Sequence, residues 1–149
     1  MGSEMCIRDS PSTSTQIGIR GNPRTLDWLQ ASYDIGYQVI TMEEYKELGH
    51  EKSSKMILDR LGNNPVYITF DLDCLDAAVA PGVANIESAF RGFNIDEARK
   101  LIQSLKGKNV IGGDVACLMP TKDNPNQITS MVAASIMFEI ICLISLNLK

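Results

Sequence analysis

The chain has 149 residues, of which 44% are hydrophobic and 21% charged, with a formal net charge of -4. Apolar residues are too plentiful and net charge too small for a disordered chain, so one globular domain of ordinary size is expected. The acidic balance, with 14 scattered Lys and Arg residues, excludes a phosphate-binding patch, and nucleic acid is not expected as a partner.

Residues 1–10 read MGSEMCIRDS and run into Pro11-Ser-Thr-Ser-Thr15. The string MCIRDS resembles a translated sequencing-adapter remnant. Residues 1–14 are therefore set apart as a non-native leader, expected to be disordered and without a secretory signal. Residues 15–149 are taken as the domain. Gln16 to Arg20 is a short β-type run closed by Gly21, Asn22 and Pro23. Helical spacing of Leu26, Leu29 and Tyr33 predicts a helix over Thr25 to Ile35, with Gly36 as its stop. Tyr37 to Thr41 is the next strand. Two short helices follow, Glu43 to Leu48 and Ser53 to Leu61, ended by Gly49 and Gly62.

Val66 to Phe70 is the strongest strand, β-branched and aromatic, placed between Pro65 and Asp71. A long loop spans Asp71 to Phe93. Asn94 with Glu97 forms a capping box for a helix to about Leu105. Lys108 to Val115 is a further strand, and a second loop, Ala116 to Pro125, leads to a long terminal helix from Asn126. That helix is apolar enough to raise the question of a membrane span. Glu139 at its middle argues instead for a helix of a layered domain, and no membrane partner is expected. Alternation of strands and helices predicts an α/β fold, a parallel sheet covered by helices, with its site beyond the carboxyl ends of the strands.

Asp71, Asp73 and Asp76 sit at such an end. Asp71 and Asp73 point to one side while the chain stays extended, and a divalent cation is the simplest compensation for two adjacent carboxylates. The competing reading is a plain turn or helix cap. An EF-hand is excluded because the Gly and closing Glu of its loop are missing. Cys6, Cys74, Cys117 and Cys142 show no CxxC spacing and are expected as reduced thiols of a cytoplasmic protein. The single histidine, His50, is read as a surface residue.

The stretch from Thr69 through Asp71-Leu-Asp73-Cys-Leu-Asp76 to Ala80-Pro81-Gly82 resembles the signature of the ureohydrolase family, which includes arginase, agmatinase and formiminoglutamase. Gln16 to Gly21 is similar to a family strand. Gly113-Asp114-Val-Ala-Cys117-Leu-Met-Pro120, followed by Asp123 and Ile128-Thr129, is similar to the family's D-x-x-E-x-x-P segment and closing helix. The resemblance covers about residues 16–146 and is agmatinase-like.

It implies a three-layer α/β/α sandwich with a mostly parallel sheet, of which residues 15–149 are the C-terminal half, incomplete on the N-terminal side. It implies two Mn²⁺ ions, with Asp71 bridging them and Asp73 binding one. Asp76 would orient the loop behind these ligands, and Asp114 would support the site. The implied reaction is hydrolysis of a C–N bond in a small linear guanidine or amidine, releasing urea and an amine. The whole protein is implied to be a homotrimer or homohexamer.

The sequence departs from the family at three places. The G-G-D-H and D-A-H-x-D segments that supply further ligands are absent, so this chain is expected to be inactive by itself and to carry no complete catalytic set. Cys117 stands where a substrate-contacting Glu is usual. It is read as a pocket residue, with a buried structural thiol favoured over a nucleophile. Asn85 and Glu87 lie in the loop that usually carries a T-G-T-P segment, where they either reshape the pocket or form a polar surface loop. The alternative function is a non-catalytic ureohydrolase-like subunit or regulator.

Overall fold

The computed structural model describes residues 10–21, 23, 25–86 and 92–148. Strands are β1 (Thr15–Ile19), β2 (Gln38–Thr41), β3 (Val66–Asp71) and β4 (Val110–Ala116). Helices are α1 (Gln30–Ile35), α2 (Met42–Leu61), α3 (Ile95–Gln103) and α4 (Ile128–Leu146). The α/β expectation holds, and every strand pair among the described residues is parallel. The strands form two pairs, β1–β2 and β3–β4. A backbone bridge between Leu75 and Phe93 lies outside these strands.

Local signals set most boundaries. Gly36 ends α1 in the left-handed conformation at φ 102°. The helix it closes is shorter than its apolar spacing predicted, because 26–29 form turns. Thr41 and Glu44 cap α2 reciprocally, with Glu44 N–H donating to Thr41 Oγ1 at 3.2 Å. The two helices expected here are present as two segments of α2, divided by a kink at Gly49, whose φ of 79° and ψ of 168° are not helical. Asn94 and Glu97 form the predicted capping box of α3.

The leader expectation needs correction for residues 10–14. Pro11–Thr13 is a 3-10 turn rather than a disordered stretch. Arg60 of α2 holds it, donating from Nε to Ser14 O at 2.9 Å and from Nη2 to Pro11 O at 2.9 Å, and also reaching Gly36 O. A guanidinium can satisfy several carbonyls at once, which ties this turn to the end of α1. Residues 1–9 lie outside the described residues.

The core joins both strand pairs. Ile40, Leu72, Leu75, Phe93, Val110 and Ile140 are each at most 2% exposed. α2 packs on β1 and β2, α3 lies between α2 and α4, and α4 packs on β4. Gly113 permits the last contact, since a Cβ there would stand 2.8 Å from Ile140 Cγ2. Along β3, Val66 and Phe70 are buried while Tyr67, Thr69 and Asp71 are exposed, so the period of two puts the Asp71 side chain on an open sheet face.

α4 is the one helix among the described residues long and apolar enough to cross a membrane by length and composition. Ile136, Ile140 and Leu143 are buried in the core, and Glu139 is paired rather than stranded. It accepts from Arg99 Nε at 2.7 Å and from Gln103 Nε2 at 3.1 Å, and these bonds hold its carboxyl below the ordinary range. Met131, Phe138 and Ile141 on the outer side are more than half exposed.

Phe93 is the central packing residue. Its ring meets Tyr45 edge-on at 4.8 Å and covers Gly18, whose φ of 83° and lack of a Cβ let the ring close on the strand. Phe93→Ala is expected to cost about 3–5 kcal/mol, measured by urea unfolding followed by circular dichroism. A loss under 1 kcal/mol would contradict that position in the core. The exposed apolar faces of α4 and β3 predict concentration-dependent self-association of the isolated chain, reduced by Phe138→Lys. Sedimentation velocity would show this, and an ideal monomer at all concentrations would disprove it.

Candidate metal centre

Asp71 ends β3 and caps the 3-10 turn Leu72–Cys74, accepting from Asp73 N–H at 2.8 Å. The capping role weighed from sequence is therefore real. It also has a second effect, because the tight turn carries Asp73 back beside Asp71. Ala116 pairs with Asp71 across the β3–β4 register, so β4 delivers the next residue, Cys117, to the same place. The potential ligand atoms of Asp71, Asp73 and Cys117 all lie within 4.8 Å of one another.

Cys117 takes a left-handed backbone at φ 67°, uncommon for a residue with a Cβ. Its carbonyl accepts from Ala84 N–H at 2.9 Å, and a bridge joins Val83 to Leu118. These contacts hold the loop after β4 against the Ala-Pro-Gly loop. Burial, the hydrogen bond to Asp71 and the charges of Asp71 and Asp73 push the Cys117 thiol up to about 12. Burial and the same charges push Cys74 up to about 12, while Arg20 works in the opposite direction. Both thiols are therefore protonated at neutral pH in the absence of a cation, and neither is poised as a nucleophile.

The remaining expected residues divide. Asn85 approaches through its backbone, with its N–H 3.4 Å from Asp73 Oδ1, while its side chain is exposed. Asp76 shapes the loop, its carboxylate accepting from Ala78 N–H at 3.0 Å. Asp114 lies two positions before Ala116 on β4 and accepts from Thr69 Oγ1 at 3.3 Å. Glu87 lies outside the described residues. His50, read as a surface residue, is instead half-buried on α2, with Nε2 3.5 Å from Ser54 Oγ.

A family profile described as "Arginase family" matches residues 3–143. The chain belongs to the arginase family. It is 36% identical to a guanidinopropionase of Pseudomonas aeruginosa over 135 residues, which is 91% of this chain and 42% of that protein. It is 34% identical to an agmatinase of Neisseria meningitidis serogroup C over 133 residues, covering 89% of this chain and 40% of the relative. Its fold superimposes on proclavaminate amidino hydrolase from Streptomyces clavuligerus with a TM-score of 0.81 at 31% identity, covering 93% of this chain and 44% of that one. The chain thus spans less than half the length of these arginase-family relatives.

Asp71, Asp73 and Cys117 lie close enough for one cation to reach all three of their ligand atoms. Two carboxylates suit a hard divalent cation, whereas six-coordinate sites need more donors than these three.

Sequence reasoning missed two supports of this cluster. Arg20 Nη2 donates to Leu75 O at 2.9 Å, bracing the turn after Asp73 from β1. Its signal was only a cation at a strand end. Asp123, matched in the motif but given no task, anchors α4. Its Oδ1 accepts from Thr129 N–H at 3.1 Å and its Oδ2 from Ser130 N–H at 2.9 Å. Thr129 Oγ1 in turn accepts from Gly82 N–H at 2.8 Å. Gly82 has no room for a side chain, since a Cβ would stand 2.8 Å from Asp123 Cα. An Asp shortly before an apolar helical run was the usable signal.

Desolvation opposes the charge on Asp123, but the bonds from Ser130 and Thr129 outweigh it and hold its carboxyl near 2 rather than 3.8, at about 2. A depressed carboxyl stabilises the fold above its unfolded value, and the contribution is lost as pH falls from 3.8 towards about 2. Asp123→Asn is expected to lower the melting temperature at neutral pH and to flatten the acid dependence across that window. Thermal melts of both chains as a function of pH measure it. Parallel curves would rule out this coupling.

Proposed function

We propose that this chain contributes one wall of the metal centre in an arginase-family hydrolase that cleaves a C–N bond of a small linear guanidine or amidine, releasing urea and an amine. The convergence of Asp71, Asp73 and Cys117 beyond the ends of β3 and β4 carries this reading. Asp71 and Asp73 would hold the ions. The resident metal expected from the resemblance is Mn²⁺. When bound, such a pair of ions supplies a water of lowered pKa as the nucleophile.

The chain's own residues do the remaining work. Asp76 and Arg20 keep the turn rigid, and the Asp114–Thr69 bond braces the adjacent strands. The names of the relatives support guanidino compounds as the substrate class, agmatine and guanidino acids among them. The whole protein's oligomer is expected to be a trimer or hexamer, and its compartment the cytoplasm.

A second reading, a non-catalytic subunit, is favoured by one observation. Cys117 stands where two charge-assisted bonds from a carboxylate would clamp guanidinium, and a neutral thiol makes no such pair.

The purified chain is expected to retain less than stoichiometric Mn²⁺ after gel filtration and to release no urea from agmatine or guanidinopropionate. Asp71→Asn should remove the residual metal. Elemental analysis and urea assay read both. Full metal occupancy with turnover would overturn the account of an incomplete wall. Binding unchanged by Asp71→Asn would overturn the site itself.

A further inference from the structure

The position of Cys117 has a consequence for metal choice. The Cys117 sulfur lies beside the two carboxylates, with the donor atoms of Asp71, Asp73 and Cys117 all within 4.8 Å of one another. Two separate strand ends supply this set, and the β3–β4 register places them side by side. The left-handed backbone of Cys117 and the Ala84 bond to its carbonyl anchor the residue at that spot. Metal–donor bonds of about 2.0–2.3 Å come within reach of all three atoms after small side-chain rotations.

We propose that Cys117 is itself a metal ligand, making with Asp71 and Asp73 a mixed oxygen–sulfur site that takes a borderline-soft divalent cation such as Zn²⁺ in preference to Mn²⁺. This rests on the reading of the strand ends as a metal centre and departs from the substrate contact that the resemblance implies for this position. Softness decides the preference. Carboxylate oxygens accept hard and borderline ions alike, whereas a thiolate strongly favours the softer ones. As the sulfur–metal bond forms, the S–H bond breaks and its proton goes to solvent, so one proton is released per ion bound. The thiolate also adds a third negative charge beside Asp71 and Asp73, which only a bound cation compensates.

The test uses the 149-residue chain titrated with Cd²⁺, Zn²⁺ and Mn²⁺ separately. Cd²⁺ reports sulfur ligation by a near-ultraviolet charge-transfer band, and elemental analysis gives occupancy. The expected result is a band with Cd²⁺ that survives Cys74→Ser and disappears in Cys117→Ser. Zn²⁺ and Cd²⁺ affinity should fall by at least about tenfold in Cys117→Ser, with Mn²⁺ affinity little changed. Cys117→Asp, an all-oxygen set, should narrow the preference for Zn²⁺ over Mn²⁺ and give no band with Cd²⁺. Circular dichroism checks that each variant folds.

Cd²⁺ bound by the unmodified chain without a band overturns the proposal, whatever the variants do. A band that persists in Cys117→Ser also overturns it. If Asp71→Asn still abolishes binding in either case, the metal-centre reading stands and only the sulfur ligand fails. If Asp71→Asn changes nothing, or no ion binds, both fail.

Discussion

Everything at the strand ends depends on a pair of backbone bonds between the acidic turn and Phe93. Phe93 N–H donates to Cys74 O at 3.0 Å, and Asp76 N–H donates to Phe93 O at 2.9 Å. The chain between these residues is the long loop, so the two bonds close it and set where the acidic turn points. Gly92 makes the closure possible, because a Cβ there would collide with the backbone of Leu75 and Asp76. Phe93 carries the constraint into the core through Gly18 of β1 and Tyr45 of α2. The two strand pairs are thus joined by one aromatic side chain and its backbone.

A second junction works on the other side of the site. Gly82, Asp123 and Thr129 lock the Ala-Pro-Gly loop to the first turn of α4, and α4 lies on β4. Asp123 supplies acceptors to amides that a helix start otherwise leaves unpaired. The loop after β4 is therefore pinned at both ends, by Ala84 at Cys117 and by Asp123 before the helix. Precise placement of Cys117 follows from this double attachment rather than from any preference of cysteine. The acidic turn and Cys117 lie side by side because these two junctions hold them together.

The arrangement also explains why the site is open. β3 buries Val66 and Phe70 against the core and turns Tyr67, Thr69 and Asp71 to solvent. In a fold whose relatives are more than twice as long, this face carries the exposed Asp71. The mutual repulsion of Asp71 and Asp73 favours any cation that arrives.

Much of this was legible in the residues. The β-branched run Val66 to Phe70, the Asn94–Glu97 box and the Gly36 stop each act within a few positions, so local propensity determined them. The acidic spacing after a strand and its order with the Ala-Pro-Gly and Asp114 segments determined the family, because such motifs are local chemistry repeated in a line. Three things were decided only by tertiary structure. Arg60 orders residues 10–14 from 46 positions away, converting an apparent leader into a turn. Phe93 found its role through Gly18 and Tyr45, which no window of sequence contains. Cys117 became a neighbour of Asp71 through parallel pairing of β3 with β4, and parallel pairing is set by how helices cover the sheet rather than by either strand alone.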